Sequence, residues 1–286
     1  MGQSTTEQEL MTIEGFSNQS GTDRQWDLMR ASFDGDWLGK TTWYVRSPNG
    51  MDLKHGRCSP VESLYAIRFS DESRGEWHGT GLRFAPGGER RFPLNRDQYN
   101  LGHNCWHFPE TAGQSSLEVG ERTTRAGHEV NFFIGRSRSM LVALYQRQAD
   151  GRMTLDSIAA TAFRCQRANL DPAREQMESM EAVLSIVAGW PGIEQELMPG
   201  MLQGPLEPNQ PAPNFEPETF KRQDINGVFS DNLICGLPDK MPNGSFMLHF
   251  GCLLDAKSFA HLIIDFDLNH KLARWKERRY QQTMHG

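Results

Sequence analysis

Several features that would assign this chain to a functional class are absent from its sequence. No apolar run approaches the ~18 residues that a membrane-spanning helix needs, so we expect no transmembrane segment. There is no Gly-x-Ser-x-Gly, Walker loop, dinucleotide fingerprint or His-Glu-x-x-His, so no motif indicates a reaction. The 30 Lys and Arg are outnumbered by 36 Asp and Glu, and a net charge of -6 argues against nucleic acid as a partner.

Cysteine is scarce, and its pattern does not predict a disulfide framework. The 5 cysteines are scattered and include no Cys-x-x-Cys pair: Cys58, Cys105, Cys165, Cys235 and Cys252. The first ten residues are polar and acidic, unlike the apolar stretch that directs export. We therefore expect free thiols and a cytoplasmic protein.

What the sequence does contain is a long series of predicted strands. From Gly39 to about residue 166, apolar residues alternate with polar ones, as in residues 61–69, 130–134 and 140–144. Turn signals such as Pro48-Asn49-Gly50 separate these runs. Roughly eight or nine short strands without a helix long enough for a parallel crossover predict an all-β, antiparallel meander. Closure into a barrel would remove the exposed edges of such a sheet.

The pattern predicts four segments. A short helix face formed by Trp26, Met29 and Phe33 precedes the first strand. The segments are a polar tail (1–22), the barrel (23–167), a connecting helix with a Pro-rich linker (168–217) and a small C-terminal antiparallel sheet (218–286). The last segment contains four predicted strands, too few to close a barrel, so we expect it to pack on or extend the first sheet.

The two ends of the predicted barrel resemble the lipocalin-like (calycin) superfamily. Gly35-Asp36-Trp37 opens the first strand, and Phe163-Arg164-Cys165 ends the last one. In that superfamily a Gly-x-Trp stands at this place, and a basic residue of the last strand packs across the indole. The resemblance implies that Gly35, Trp37 and Arg164 form the barrel floor, where a guanidinium stacks on the indole and donates to nearby carbonyls.

Two further groups of residues resemble a cyanobacterial two-part lipocalin-like family of unknown function. The first lies in residues 132–164, with Phe132-Phe133-Ile134 and Arg138. The second lies in residues 237–267, where Cys252 and Phe266 replace the Trp and Tyr that we would expect. Relatives of this family include the S/T-type bilin lyases, which attach linear tetrapyrroles to phycobiliprotein cysteines. The resemblance therefore implies a tetrapyrrole or a photosynthetic assembly partner.

Aromatic and basic side chains in the middle strands are the candidates for ligand binding. They are Tyr65, Trp77, Arg83, Tyr99, His103 and Trp106. An eight-stranded barrel is either filled by side chains or holds one small ligand. His103, Cys105 and His107 share one face of a strand, but steps of ~7 Å are too long for all three to bind one ion, so we expect no metal site.

Three functions remain open from the sequence. The first is binding of a hydrophobic or amphiphilic small molecule of the tetrapyrrole or carotenoid class in the barrel. The second is a bilin chromophore lyase or chaperone acting on a phycobiliprotein cysteine. The third is a non-catalytic assembly factor with a fully packed barrel. No signature decides whether the protein is an enzyme, and none establishes a cofactor. The candidate cofactors are a bilin, which the resemblance implies, and a carotenoid.

Overall fold

The computed structural model describes residues 21–81, 89–167, 174–200 and 209–283. A first sheet follows helix α1 (Gly21–Phe33). Its strands are β1 (Gly35–Gly39), β2 (Thr41–Ser47), β3 (Gly50–Met51), β4 (Arg57–Cys58), β5 (Ser63–Phe69), β6 (Arg74–Thr80), β7 (Glu89–Asn95), β8 (Cys105–His107), β9 (Thr111–Ser115), β10 (Arg125–Ile134), β11 (Ser137–Arg147) and β12 (Met153–Cys165).

A second sheet and two short helices complete the chain. Helix α2 (Met180–Val187) connects the sheets, and α3 (Glu218–Lys221) lies between strands of the second sheet. The strands are β13 (Gly192–Leu197), β14 (Gln210–Ala212), β15 (Ile225–Phe229), β16 (Leu233–Leu237), β17 (Phe246–Leu253), β18 (Ser258–Phe266) and β19 (Leu272–Gln281). These elements confirm the predicted all-β class with a connecting helix and a smaller C-terminal sheet.

The first sheet is a curled half-barrel. Its antiparallel order is β7-β6-β5-β1-β12-β11-β10-β9-β8, and β2 follows β1 along the same side of β12. Trp37 of β1 lies opposite Cys165, whereas Trp43 of β2 lies opposite Ala159. In the described part of the chain no ladder joins β7 to β8. The predicted meander is therefore present as a half-barrel that stays open between these two strands.

The two faces of this sheet bury different clusters, because successive side chains of a strand point to opposite faces. On the convex face, Trp106, Val130 and Leu141 join Leu248 and Trp275 of the second sheet in one cluster, here called the inter-sheet core. On the concave face, α1 packs into a second cluster, here called the inner cluster. Its buried residues include Trp26, Phe33, Trp37, Trp77, Phe133, Met140 and Phe163.

The second sheet has more strands than the sequence predicted. Its order is β14-β13-β19-β18-β17-β16-β15, and β13 and β14 come from the segment that we predicted to be a linker. Within the C-terminal segment, for which we predicted four strands, β15 and β16 form a hairpin. Asp231 and Asn232 turn this hairpin with φ angles of 60° and 59°, a left-handed conformation that Asp and Asn tolerate better than most residues. As expected, the sheet packs on the first one.

An ion pair joins the two sheets at this turn. Arg164 of β12 donates to both carboxylate oxygens of Asp231 at 2.8 and 2.7 Å, and Ser139 donates to the same carboxylate at 2.8 Å. Burial alone would raise the pKa of Asp231, but the bonds from Arg164 bring it below its ordinary value. Removing either partner would leave the other charge without its ion-pair partner, which is unfavourable at a buried position.

Helix α2 covers the far side of the second sheet. Ser179 caps its start by accepting a hydrogen bond from the backbone N–H of Ala182 at 3.1 Å. Met180, Val183 and Leu184 bury one face of the helix against Phe259 and its neighbours. No helix in the described ranges has the length and apolar character to cross a membrane.

Candidate functional site

One end of the half-barrel is closed by α1. Trp26, Met29 and Phe33 bury the helix face that the sequence predicted. The indole of Trp26 donates to the carbonyl of Glu72 at 2.8 Å, which holds the helix to the β5–β6 turn. Phe33 meets Phe133 edge-on, with ring centroids 5.0 Å apart. The interior beside the last residues of β10 is therefore filled with protein.

The predicted stacking of Arg164 on Trp37 is wrong, and Arg136 takes its place. Trp37 is fully buried, and the Arg136 guanidinium carbon lies 4.8 Å from the centroid of its ring. A Cβ on Gly35 would lie 2.6 Å from Arg136 Nη2, so glycine leaves the room for this guanidinium. Arg164 faces the second sheet, because it follows the inward-facing Phe163 in a strand of period two.

A second arginine is buried inside the half-barrel. The Arg138 guanidinium carbon lies 4.7 Å from the ring centroid of Phe33, 4.0 Å from Tyr65 and 4.9 Å from Phe163. Its Nε donates to Asn131 Oδ1 at 2.7 Å, and its Nη2 lies 3.4 Å from Glu129 Oε1. The positive charge is thus compensated by ring faces and by one carboxylate.

The surroundings of this arginine are dry. Tyr99 Oη contacts His107 Nε2, and Gln25 accepts from the backbone N–H of His107 and donates to its carbonyl. Burial lowers the pKa of His107 to about 3 and raises the pKa of Tyr65 to about 12. Both groups are therefore neutral at physiological pH and serve as packed walls.

Within the described residues, side chains do not fill the other end of the half-barrel. A cavity of about 640 Å³, here called the inner cavity, opens beside the first residues of β10. Its lining shares the concave face of β2, β10, β11 and β12 and includes Thr41, Trp43, Val61, Arg125, Gly127, Glu129, Met140, Val142, Leu144, Asp156, Ser157 and Ala159. A smaller cavity of about 290 Å³ shares Gly127, Glu129, Val142 and Leu144 with it.

Apolar walls and a few charges describe the chemistry of the inner cavity. Val142 and Leu144 are only partly buried, and Val61 is 64 % exposed. Arg125 is exposed at the mouth and has no carboxylate partner among the described residues. Glu129 lies deeper on the same strand. This combination of apolar walls with few polar groups is typical of a small-molecule site.

The structure does not bring the predicted ligand residues to the inner cavity. Tyr65, Trp77 and Tyr99 belong to the inner cluster, where Trp77 stacks on Phe92 at 4.7 Å. His103 lies in the turn before β8 with a φ of 55°. Arg83 lies outside the described residues.

Trp106 needs a correction, because it points away from the half-barrel interior. Its ring stacks on Trp275 of the second sheet with centroids 6.2 Å apart, while Cys105 and His107 face inward as the alternation predicted. The lining residues Trp43, Val142 and Leu144 were missed as site residues. The alternation of residues 140–144 was the available signal for two of them.

No cysteine is among the described residues that line the inner cavity. All five cysteines are free thiols, and burial raises the pKa of Cys105 to about 12. Within the described ranges, no group of three or more His, Cys, Asp or Glu is placed to hold a metal ion.

Comparison with known proteins supports the fold and leaves the activity open. No family model matches the chain, and no curated protein matches it. A solved structure of unknown function, from the DUF3598 family of Nostoc punctiforme, is similar with a TM-score of 0.65 at 12 % identity, covering 91 % of this chain and 99 % of that one. A match to a putative outer membrane protein of Bacteroides fragilis covers 92 % of this chain and 100 % of that one at 7 % identity. Its TM-score of 0.19 is too low to indicate a shared fold.

The Nostoc structure bears on one expectation from the sequence. It comes from a cyanobacterium and has no known function. The family that residues 132–164 and 237–267 resemble is also cyanobacterial and of unknown function. At this identity the likeness shows a shared all-β fold, and the ligand has to be argued from the inner cavity.

Proposed function

We propose that this protein binds one amphiphilic small molecule, with its apolar body in the inner cavity and an acidic group at Arg125. The observation that carries the proposal is the cavity of about 640 Å³ on the concave face. Its volume lies within the roughly 300–1,000 Å³ of small-molecule sites. Of the two ligand classes named from the sequence, a tetrapyrrole with carboxylate side chains supplies such an acidic group, whereas a carotenoid would occupy only the apolar part of the inner cavity.

Three features support binding over a fully packed half-barrel. The cavity lies directly next to a densely packed inner cluster, so the space is local and bounded by rigid neighbours. Apolar atoms of Val142 and Leu144 face it, and covering them would contribute roughly 25 cal/mol per Å². Arg125 presents a planar guanidinium, which suits a carboxylate better than an ammonium does.

A bilin lyase acting on a phycobiliprotein cysteine would use the same cavity. Such a protein would have to release its chromophore to a partner, whereas a binding protein would retain it. The two proposals separate when the pigment-loaded protein is mixed with an apo-phycobiliprotein. Covalent colour on the partner favours the lyase, and colour that stays on this chain favours the binding protein.

Filling the inner cavity tests the proposal. We expect Val142→Trp to weaken binding of biliverdin, canthaxanthin or stearate by about tenfold or more, because the new ring would occupy the cavity. Met247→Trp is the matched control, since Met247 is an exposed residue of the second sheet. Titrations followed by tryptophan fluorescence and visible absorption give the affinities.

Two outcomes would contradict the proposal. The wild-type protein binds none of the three probes, or Val142→Trp binds them as tightly as Met247→Trp does. In either case the cavity is an unused space in a scaffold.

A further inference from the structure

Glu129 occupies a particular position between the buried arginine and the inner cavity. It lies on β10 opposite Gln114 of β9 and Val142 of β11. Its Oε1 accepts a hydrogen bond from Asn131 Nδ2 at 3.0 Å and contacts Arg138 Nη2 at 3.4 Å. Its Oε2 accepts no hydrogen bond from the described residues, while the side chain remains 20 % exposed and lines both cavities. One oxygen is therefore used by the protein, and the other has no protein partner among the described residues in a side chain that lines both cavities.

The charge of Arg138 cannot itself reach a ligand. Its side chain is fully buried, and three aromatic rings surround the guanidinium. Glu129 separates it from the inner cavity and presents only acceptor oxygens there. An anionic group of a ligand would be repelled at this depth, and a hydrogen-bond donor would be attracted.

We propose that Glu129 Oε2 accepts a hydrogen bond from an N–H or O–H group in the middle of the bound molecule. This inference rests on the proposed function and narrows its ligand class. The class is an apolar acid that also carries an internal hydrogen-bond donor. A pure hydrocarbon would leave the Oε2 lone pairs without water and without a partner, which is unfavourable.

The spacing of the two polar groups sets the geometry of the ligand. Arg125 and Glu129 lie four residues apart on one face of β10, which corresponds to about 13 Å. Gly127 lies between them on the same face, and a Cβ there would come within 3.1 Å of Leu144 Cδ2. Glycine therefore keeps the path from the mouth to Glu129 open. The acid and the donor of the ligand should be separated by a similar length of apolar chain.

Three probes that differ only at mid-chain test this inference. Stearate has an unsubstituted chain, 12-hydroxystearate carries a donor, and 12-oxostearate carries an acceptor alone. We expect the wild-type protein to bind 12-hydroxystearate about tenfold more tightly than 12-oxostearate, because a carboxylate cannot donate to a ketone. Equal affinities for the two would overturn the inference.

Glu129→Gln replaces the acceptor Oε2 with an amide nitrogen, which is a hydrogen-bond donor. The amide oxygen can still accept from Asn131 and Arg138, and the amide nitrogen then donates into the inner cavity. We expect the preference for the hydroxy over the oxo probe to fall to about twofold or less. Glu121→Gln, on the exposed β9–β10 connection, should keep the wild-type preference. A loss of stability alone would weaken all three probes equally and would contradict the inference.

The same measurements separate this inference from the proposed function. If the three probes bind with equal affinity and Val142→Trp abolishes their binding, the cavity is a ligand site and Glu129 does not select the ligand. If neither the three fatty acids nor biliverdin nor canthaxanthin binds, or if Val142→Trp has no effect on binding, both proposals are wrong. If biliverdin or canthaxanthin binds and 12-hydroxystearate does not, the cavity is a ligand site and the inference about Glu129 is wrong. The ranking of probes by the wild-type protein needs no variant, so it decides the inference even if Glu129→Gln fails to fold.

Discussion

Strand β10 shows how differently the two faces of the first sheet are used. Val130 and Phe132 are fully buried in the inter-sheet core, while Gly127 and Glu129, on the other face of the same strand, line the inner cavity. The difference comes from what covers each face. Among the described residues, the second sheet covers the convex face, whereas α1 covers one end of the concave face. The inner cavity lies where α1 no longer covers the concave face, and the strand structure of β10 does not change there.

The largest expected difference between the faces is in packing. We expect Trp275→Ala to lower the free energy of unfolding by about 3–5 kcal/mol, because the fully buried indole stacks on Trp106 and donates to Ser115 Oγ at 3.0 Å. Val142→Ala, at the cavity wall, should cost less than about 1 kcal/mol. Urea unfolding at neutral pH measures both. Similar losses at the two sites would mean that the faces are equally well packed.

Alkaline pH sharpens the comparison at the inter-sheet core. Glu277 accepts from Thr111 Oγ1 at 2.9 Å, and burial raises its pKa to about 7, with Arg279 opposing and Glu110 adding to the shift. The raised pKa means that the protonated carboxyl contributes stability below about pH 4.5, and this contribution is lost as the pH rises through 7. Glu277→Gln cannot ionise. Relative to the difference between the two proteins near pH 4.5, its free energy of unfolding should therefore exceed that of the wild type by about 3 kcal/mol near pH 8.5.

The control for this measurement is Glu121→Gln, a carboxyl on an exposed connection. It should follow the wild-type stability at every pH. If the free energy of unfolding of Glu277→Gln does not rise relative to the wild type between about pH 5 and 8.5, the Glu277 carboxyl is hydrated in the folded protein. The inter-sheet core would then contain more water than its contacts indicate.

Acid pH tests the same core from the other side. Burial lowers the pKa of His128 to about 3, and neither ring nitrogen has a hydrogen-bond partner among the described residues. Because the pKa is depressed when folded, stability present above about pH 6.5 is lost as the pH falls towards 3. His128→Leu should therefore be about 2 kcal/mol more stable than the wild type near pH 5, relative to their difference at pH 7.5.

His55→Leu serves as the control, since the His55 ring is 82 % exposed. The two histidine variants are compared by urea unfolding at both pH values. An identical pH dependence in the wild type and His128→Leu would show that the ring is not held neutral by burial.

The smallest effect on stability is expected at the mouth of the inner cavity. Arg125→Gln should change the free energy of unfolding by less than about 0.5 kcal/mol, since the side chain is exposed. It should nevertheless weaken stearate binding by roughly threefold to tenfold at low salt, because the stearate carboxylate loses the guanidinium that binds it. Arg122→Gln, also exposed, should leave binding unchanged. An Arg125→Gln variant with wild-type affinity would remove the acidic group from the proposed ligand.

The parts of the fold that follow local rules were predictable. Alternation in residues 130–134 and 140–144 predicted strands whose faces are separated as the structure shows, and the spacing of Trp26, Met29 and Phe33 predicted α1. The contributions of β13 and β14 to the second sheet were not predictable. β13 pairs with β19, which is distant in the chain, and β14 joins the sheet through β13. No local pattern encodes such a long-range pairing.

The candidate site depended on information that the sequence carries less directly. Arg164 lies in β12, next to the Cys165 that pairs with Trp37, whereas Arg136 lies in the turn between β10 and β11. The assembled sheet places Arg136, and not Arg164, on the indole. Trp106 and Trp43 are the same residue type, yet Trp106 faces the second sheet and Trp43 lines the inner cavity. Whether an inward-facing residue meets protein or empty space depends on where α1 ends, and that is a property of the assembled tertiary structure.

Closure of one end by α1 has a kinetic consequence. In the part of the chain that the structure describes, the inner cluster blocks the inner cavity at the end that α1 covers. A ligand therefore enters and leaves on the side of Arg125, and an incoming molecule cannot displace a bound one from the α1 end. Exchange should then proceed through the empty protein, at a rate set by dissociation and independent of the competitor's concentration. Any transfer to another macromolecule would take place on the Arg125 side.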